Sequence, residues 1–215
     1  MSIRQPITVI GSGQVAQVLA KGFKAHGYPV RIGNRTPSKL DAFKAETGIE
    51  VLEPTEAIRS SEIVVLAVKG TAAESLVASL ASRLVGKIVI DTTNPIADAP
   101  PVDGVLSNFT TSSESLMERL QSMASSTRFV KAFNSVGSPF MVDPSFPEGT
   151  PTMFIAGNDG DAKAAVGDIL REFGWDVEDL GKASAARPIE ALCQLWCARG
   201  FNRGAWNHAF KLLRG

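Results

Sequence analysis

Small residues at a fixed spacing near the start of the chain could bring the backbone close to a phosphate. Gly11, Gly13 and Ala16 form the pattern Gly-x-Gly-x-x-Ala between a short apolar run and an amphipathic segment. The first glycine permits a tight turn, the second lets the backbone approach a pyrophosphate, and the alanine lets the helix pack close to the strand. Because a helix N-terminus also attracts anions, this turn predicts dinucleotide binding. Its other residues are Ser12, Gln14 and Val15.

The loop after the second predicted strand indicates which dinucleotide is bound. Enzymes that use NAD place Asp or Glu about 20 residues beyond the glycine turn, to hold the ribose 2′-hydroxyl. Here Asn34 and Arg35 occupy that place, with Thr36 and Lys39 close by. A guanidinium can pair with a 2′-phosphate, whereas a carboxylate would repel it. NADP(H) is therefore the expected cofactor, and Thr36 could also be the N-cap of the next helix.

Side chains suited to acid–base chemistry are scarce. His26 and His208 are predicted at a helix end and near the C-terminus, and the one tyrosine, Tyr28, lies in a turn. Lys131 lies inside a predicted strand, where it could reach the site or cover a sheet edge. Since no nucleophile, zinc or P-loop motif stands out, we predict neither a catalytic side chain nor a metal. Hydride transfer between two stacked rings needs neither, because the rings carry the chemistry.

Further candidate residues follow three other predicted strands, at the edge where ligands collect in open α/β sheets. Val68 and Lys69 end one strand. Lys69 could contact the ribose or phosphate of the cofactor, or could be a solvated loop residue. Asn94 and Asn134 end two more strands. Each asparagine could hydrogen-bond a nicotinamide or a substrate, or could form an Asx-turn.

Alternating apolar runs and amphipathic segments predict an α/β fold with a doubly wound, mostly parallel Rossmann sheet. Strands are predicted at 7–10, 29–32, 50–52, 63–68, 87–91, 128–133, 152–157 and 175–180. Helices are predicted at 14–26, 38–47, 55–60, 72–84, 112–124, 160–173 and 184–213, the last interrupted at Gly200 and Gly204. The Pro-rich segment 140–151 suggests a nucleotide domain at 1–140 and a small C-terminal α/β lobe at 141–215, ending in a helical tail.

Composition disfavours several classes of function. The 22 Lys and Arg balance 22 Asp and Glu, so no affinity for nucleic acid or a membrane surface is expected. No apolar run reaches the roughly 20 residues of a spanning helix, and the first residues lack the apolar core of a secretory signal. We therefore expect a cytoplasmic protein. Cys193 and Cys197 have the wrong spacing for a redox motif and are expected to be free thiols.

The chain resembles the NADP oxidoreductases that use the deazaflavin coenzyme F-420, over nearly its whole length. The resemblance rests on Val-Ile-Gly-Ser-Gly-Gln-Val-Ala at 9–16, Gly-Asn-Arg at 33–35, Asn-Pro at 94–95 and Val-Lys-Ala-Phe-Asn-Ser-Val-Gly at 130–137. The last stretch follows a Ser-rich helix start at 112–114 and is the most specific. The family implies a Rossmann domain and a small C-terminal lobe, with the deazaflavin stacked on the nicotinamide in the cleft between them.

The resemblance also implies roles for individual residues. Those that would hold the pyrophosphate are Gly11, Ser12, Gln14 and Val15. Those that would hold the 2′-phosphate are Asn34, Arg35 and Lys39. Those that would line the ring-stacking cleft are Asn94, Pro95, Ile96, Asn134, Val136 and Gly137, with Gln194 and Leu195 in its far wall.

The sequence does not identify the second substrate. The fold also resembles the cytosolic domain of six-transmembrane metalloreductases, which passes electrons from NADPH to a flavin, so a flavin is an alternative acceptor. A redox sensor that binds NADPH without turnover, and a reductase of a small imine or carbonyl substrate, are further alternatives.

An apolar, Trp-rich stripe on the C-terminal helix is typical of core or of a subunit interface, and we expect a homodimer. Its residues are Ile189, Leu192, Leu195, Trp196, Phe201, Trp206 and Phe210.

Overall fold

Eight strands form one sheet in the computed structural model, which describes residues 4–215. They are β1 (Ile7–Ile10), β2 (Val30–Gly33), β3 (Glu50–Leu52), β4 (Ile63–Leu66), β5 (Ile88–Asp91), β6 (Arg128–Lys131), β7 (Thr152–Gly157) and β8 (Asp176–Asp179). The α-helices of the same residues are α1 (Gln14–Ala25), α2 (Asp41–Thr47), α3 (Pro54–Ile58), α4 (Gly70–Leu84), α5 (Leu116–Met123), α6 (Gly160–Glu172) and α7 (Ala186–Arg203). Each predicted strand and helix is thus present; β1, β3 and β7 have the predicted ends, and the ends of the others are shifted.

The order of the strands places the ends of β1, β2, β4 and β5 side by side. The order is β3-β2-β1-β4-β5-β6-β7-β8, and every neighbouring pair is parallel except β6 and β7. This confirms the predicted doubly wound, mostly parallel Rossmann sheet. Ile10 at the end of β1 is aligned with Gly33 of β2 and Leu66 of β4. The loops after these strands therefore meet at one edge of the sheet, the carboxyl edge.

Helices cover both faces of the sheet because its central strands are apolar on both sides. On one face α1 and the end of α6 meet through Phe23 and Phe173, whose ring centroids are 4.9 Å apart. On the other face α4 and α5 pack through Leu80 and Leu120. Full burial of one such side chain contributes about 1.5–3 kcal/mol. The two layers hold the central strands, and with them the carboxyl edge, in place.

The start of α5 and the residues before α2 differ from the sequence predictions for a physical reason. The sequence predicts a helix from 112, whereas α5 begins at Leu116. Its N-cap is Ser115, whose hydroxyl accepts from the Glu118 N–H at 3.1 Å while its own N–H donates to the Glu118 carboxylate at 2.8 Å. This capping box fixes the start and leaves 112–114 outside the helix. Thr36 precedes a 3-10 turn, and its side chain makes no cap hydrogen bond within the described residues.

The prediction that the chain is helical as far as residue 213 is wrong beyond α7. Gly200 does not interrupt the helix, which continues to Arg203. A glycine is needed there because the Trp206 ring packs against it, and an added Cβ would come within 2.3 Å of that ring. The helix ends at Arg203, and Gly204, which follows it, has a left-handed φ of 62°. Residues 205–215 form no helix. They return along β7 instead, where the Thr152 N–H donates to the Phe210 carbonyl oxygen at 2.8 Å.

The C-terminal residues extend the same sheet rather than form a second one. β7 pairs with β6 in antiparallel fashion through Val130 with Gly157 and Lys131 with Ala156, and β8 follows in parallel. The division of the chain near residue 140 stays a prediction. No helix among the described residues has the length and apolar character needed to cross a membrane.

Candidate functional site

The glycine turn between β1 and α1 lies at the carboxyl edge. Gly11 has a φ of 144°, and a Cβ there would stand 2.1 Å from the Ala67 carbonyl oxygen, so only glycine fits. At Gly13 φ is −74°, and an added Cβ would meet no atom within 4 Å. Open space therefore lies above Gly13, the N-cap of α1. Because no side chain of the described residues caps this helix, its first N–H groups are available to an anion.

Two adjoining cavities form a continuous groove along the carboxyl edge. The first cavity, of about 630 Å³, lies beside the end of β2 and is called the β2 end of the groove. It is lined by the glycine turn together with Asn34 and Arg35. The second, of about 770 Å³, is the β5 end and is lined by Gln14, Val15 and the segments 92–94 and 96–99. Residues shared by both linings are Gly13, Ala67, Val68 and Lys69. The groove thus crosses the switch point of the sheet, where dinucleotides bind in doubly wound folds.

Exposed cations lie on the loop at the β2 end. The Asn34 Oδ1 atom accepts from the Thr36 N–H at 2.8 Å, which holds the loop in an Asx-turn. Arg35 and Lys39 are exposed, and within residues 4–215 their side chains make no hydrogen bond or ion pair. Arg35 lines the cavity, whereas Thr36 and Lys39 stand outside its lining. This end can therefore offer at least one guanidinium to an anionic group.

The floor of the β5 end is held by two asparagines that bind each other. Asn94, which lines the cavity, donates from Nδ2 to the Asn134 carbonyl oxygen at 2.8 Å and accepts from Asn134 Nδ2 at 3.0 Å. Asn134 also donates to the Ile189 carbonyl oxygen at 2.9 Å and is only 4% exposed. The preceding residue, Phe133, has a left-handed φ of 62°. Asn134 therefore supports the floor from below and does not line the groove.

Several other residues expected in the cleft lie elsewhere. Pro95 and Val136 are buried, and Gly137 packs under the Trp196 ring, where a Cβ would come within 3.0 Å of Cζ2. The two α7 residues predicted for the far wall line neither cavity. Gln194 donates to the Leu106 carbonyl oxygen at 2.7 Å, and Leu195 is 60% exposed. Of the predicted cleft residues, Ile96 and Asn94 line the groove in the described part of the chain.

A buried group of charges lies beneath the β5 end. Lys131 is fully buried, and its Nζ lies 2.7 Å from Asp91 Oδ2, 2.8 Å from Glu190 Oε1 and 2.8 Å from the Thr93 carbonyl oxygen. Burial disfavours the ammonium, but the two carboxylates outweigh it and hold the pKa of Lys131 above its ordinary value. Lys131 thus neither reaches the groove nor covers an edge.

Sequence reasoning missed Asp91 and Glu190. One signal was present, because Asp91 and Lys131 are register partners at the ends of two apolar strands. A carboxylate and an ammonium at matching positions of neighbouring strands predict a cross-strand pair. Glu190 gave no comparable signal, since it lies on a helix 59 positions further along, in a segment whose pattern is dominated by apolar residues.

An exposed ion pair stands at the middle of the groove. Lys69 Nζ lies 2.5 Å from Asp98 Oδ1, and this hydrogen bond with the charge of Lys69 lowers the pKa of the Asp98 carboxyl. Both side chains are mostly exposed, at 73% and 60%. Within the described residues they are the ionisable groups that line the β5 end.

The remaining candidates for proton transfer lie away from the groove. His26, at the far end of α1, contacts Asp143 at 3.0 Å, and Tyr28 donates to Glu172 at 2.8 Å. Burial and the Glu172 hydrogen bond raise the pKa of Tyr28 to about 12. His208 stacks on Trp196 with centroids 4.9 Å apart. Cys193 and Cys197 are free thiols on α7, as expected, and neither lines the groove.

A family model described as NADP oxidoreductase, coenzyme F420-dependent, matches residues 6–95. This range runs from the residue before β1 to Pro95, so it contains most of the residues that line the groove.

Named relatives include two kinds of reductase. Metalloreductase STEAP3 of Rattus norvegicus is 30% identical over 186 residues, which cover 86% of this chain and 36% of that protein. The chain therefore spans about a third of the length of the metalloreductases that it matches. The F420-dependent NADP reductase of Methanocaldococcus jannaschii is 29% identical, with 76% of this chain and 78% of that one covered.

A crystal structure has nearly the same fold over the whole chain. The protein, from Arthrobacter sp. FB24, is provisionally described as an F420-dependent NADP reductase. It aligns with a TM-score of 0.90 at 30% identity, and the alignment covers 97% of this chain and 99% of that one. The eight-stranded sheet with its C-terminal extension is therefore shared with a protein of very similar length.

Proposed function

The chain belongs to the family of coenzyme F420-dependent NADP oxidoreductases, and on that premise we propose that it transfers a hydride between NADP(H) and a flat acceptor ring stacked in the groove. The proposed acceptor is a deazaflavin of the F-420 type, with a flavin as the alternative that the metalloreductase relatives favour. The family makes the chain an NADP-dependent oxidoreductase; the acceptor is our inference.

The groove fits an extended dinucleotide. The backbone N–H groups at Gly13 and the start of α1 would hold the pyrophosphate, because they are open to solvent and uncapped in the described residues. Arg35, with Asn34 shaping its loop and Lys39 nearby, would hold the 2′-phosphate. Val68 and Lys69 lie where the ribose of the second nucleotide would pass. The nicotinamide would then reach the β5 end, beside Asn94 and Ile96.

The single observation that carries the proposal is the lining of the β5 end. It is roomy and largely apolar, and its ionisable groups among the described residues are Lys69 and Asp98, which are paired with each other. A carbonyl or imine reductase needs a positioned proton donor. When bound, NADPH supplies the hydride and the acceptor ring takes a proton from water, so the protein has only to stack the rings and orient them.

Hydride exchange followed by absorbance tests the proposal. Purified protein is offered NADP+ with a reduced deazaflavin and, in parallel, NADPH with free flavin. Fast exchange with the deazaflavin supports the first acceptor, and turnover with flavin alone supports the second. Tight NADPH binding with no transfer to either acceptor would overturn the proposal and favour a redox sensor.

We also propose a homodimer formed through the C-terminal helix. Leu195, Phe201 and Trp206 are 60%, 46% and 42% exposed, which is unusual for large apolar side chains grouped along one segment. We expect sedimentation to give twice the monomer mass, and Leu195→Glu to shift the protein toward monomer. Met123→Glu, an apolar-to-acidic change at a 46% exposed position on α5, is the matched control and should leave the mass unchanged. A wild-type monomer would contradict this proposal.

A further inference from the structure

The buried charges beneath the β5 end are more specific than a stable core requires. Replacing a buried ion pair by apolar residues of similar volume is often neutral or stabilising, because desolvation offsets the attraction. Here Lys131, Asp91 and Glu190 are each at most 2% exposed. The ammonium donates to the Thr93 carbonyl oxygen and forms ion pairs with both carboxylates, so three oxygens surround it. Such an arrangement fixes the position of Thr93.

Asp91 holds the same residue from a second direction. Its Oδ1 atom accepts from the Thr93 N–H at 2.9 Å and from the Thr93 hydroxyl at 2.6 Å. The close partner of its Oδ2 atom within the described residues is the Lys131 ammonium. The backbone N–H, the carbonyl and the hydroxyl of Thr93 are thus all engaged from below. Thr93 lines the β5 end, so these contacts act on the floor of the groove.

Glu190 ties this group to two helices. On α7, it accepts from the Leu116 N–H at 2.9 Å and the Met117 N–H at 3.0 Å, which are the first two of α5. Its carboxylate therefore caps α5 while it binds Lys131. Its neighbour Ile189 holds Asn134, and Asn134 holds Asn94. Two polar chains thus run from α7 to the floor, one ending on Thr93 and one on Asn94.

We propose that Lys131 is a positioning residue for hydride transfer, which keeps the Thr93–Asn94 floor at the height and angle that let two rings lie flat at the β5 end. Asp91 and Glu190 act with it by holding the ammonium over the Thr93 carbonyl. This inference rests on the proposed function, since it requires that nicotinamide and acceptor meet at this end. A displacement of about 1 Å can lower a transfer rate about 100-fold. The buried contacts that hold the floor in place should therefore affect the rate of hydride transfer directly.

The test is Lys131→Met with Asp91→Asn and Glu190→Gln, which removes the charges together and leaves no unpaired buried ion. We expect single-turnover hydride transfer at saturating NADPH to fall about 100-fold. The Kd for NADPH should stay nearly constant, because the proposed pyrophosphate and 2′-phosphate contacts do not involve Thr93 or Asn94. Glu190→Gln alone keeps Lys131 between Asp91 and Thr93 and should cause a smaller loss in the same direction. This single variant decides the question if the triple variant does not fold.

The matched control is Thr8→Val. Thr8 is a buried polar residue that binds Ser61 at 2.7 Å and the Ala57 carbonyl oxygen at 2.7 Å, away from the groove lining. It should lower Tm without slowing transfer. The proposal is overturned if the triple variant and Glu190→Gln lose no more of the transfer rate than Thr8→Val does at equal Tm. It is also overturned if their transfer rate and their affinity for NADPH fall together.

A second readout does not depend on turnover. The fluorescence of the reduced nicotinamide reports its surroundings, so NADPH bound to wild type and to Glu190→Gln should differ in emission if the floor moves. Identical emission would contradict the positioning role. If wild type transfers no hydride to deazaflavin or flavin, the proposed function fails, while this comparison still decides whether Lys131 positions the ring.

Discussion

The two ends of the groove are built in different ways. At the β2 end the groups proposed to bind the cofactor are backbone N–H groups and exposed side chains, and they come from 11–35, a short continuous part of the chain. At the β5 end the lining is mostly apolar, and the groups that fix it are buried side chains at 91, 131 and 190. Affinity and cofactor choice can therefore be set locally, whereas ring position depends on the whole sheet.

The largest expected effect breaks the turn that both ends share. In Gly11→Ala the new Cβ would meet the Ala67 carbonyl oxygen, and φ of 144° is accessible only to glycine. We expect the free energy of unfolding to fall by at least about 3 kcal/mol, measured by urea denaturation. Gly86→Ala is the control, because its φ of 73° is also left-handed but an added Cβ meets nothing within 4 Å. Equal losses in the two variants would show that the contact with Ala67 is unimportant.

Gly13→Ala separates ligand space from fold. With an ordinary φ and no neighbour within 4 Å, the fold has room for the new Cβ. The pyrophosphate proposed to lie against this turn would be crowded by the new Cβ, and overpacking of about 1–3 kcal/mol should raise the Kd for NADPH roughly 5- to 150-fold. Tm should hardly change. Unaltered affinity in a titration followed by protein fluorescence would remove the pyrophosphate from this turn.

The next effect is confined to the β2 end. Arg35→Ala removes a guanidinium that lines the cavity, and hydrogen bonds to charged groups contribute about 1.5–3 kcal/mol. The Kd for NADPH should rise roughly 10- to 150-fold, while that for NADH changes little. Arg59→Ala removes an exposed arginine near the opposite edge and controls for net charge. Equal losses for NADPH and NADH would rule out a 2′-phosphate role for Arg35.

The smallest effect reaches the β5 end through the start of α5. The Arg187 hydrogen bond and the Ser115 contacts lower the pKa of Glu118 to about 2, although burial opposes them. A carboxylate whose pKa is lower in the folded state stabilises the fold at pH values above its unfolded pKa of about 4.3. This stabilisation is lost as the pH falls toward the folded-state pKa. Glu118→Gln should therefore cost about 1 kcal/mol near pH 6 and little near pH 2. Glu148→Gln removes an exposed carboxylate that has no ion pair among the described residues and controls for the change in net charge.

The difference between the ends also explains what the sequence could predict. The glycine turn, the Asn34–Arg35 loop and the parallel strands follow from patterns a few residues long. The position of Asn134 does not, because it depends on the left-handed φ of Phe133, and nothing in a phenylalanine predicts that conformation. Gly200 was misleading for a related reason: glycine ends helices, but here it makes room for the Trp206 ring.

The place of Glu190 in the chain has a consequence for biosynthesis. Domains generally fold as units, and the glycine turn is translated long before α7. The carboxylate that holds Lys131 and caps α5 is translated 59 residues after that lysine. The floor at the β5 end therefore cannot be set until α7 has left the ribosome, and a chain that stops before Glu190 leaves Lys131 with only one of its two carboxylates.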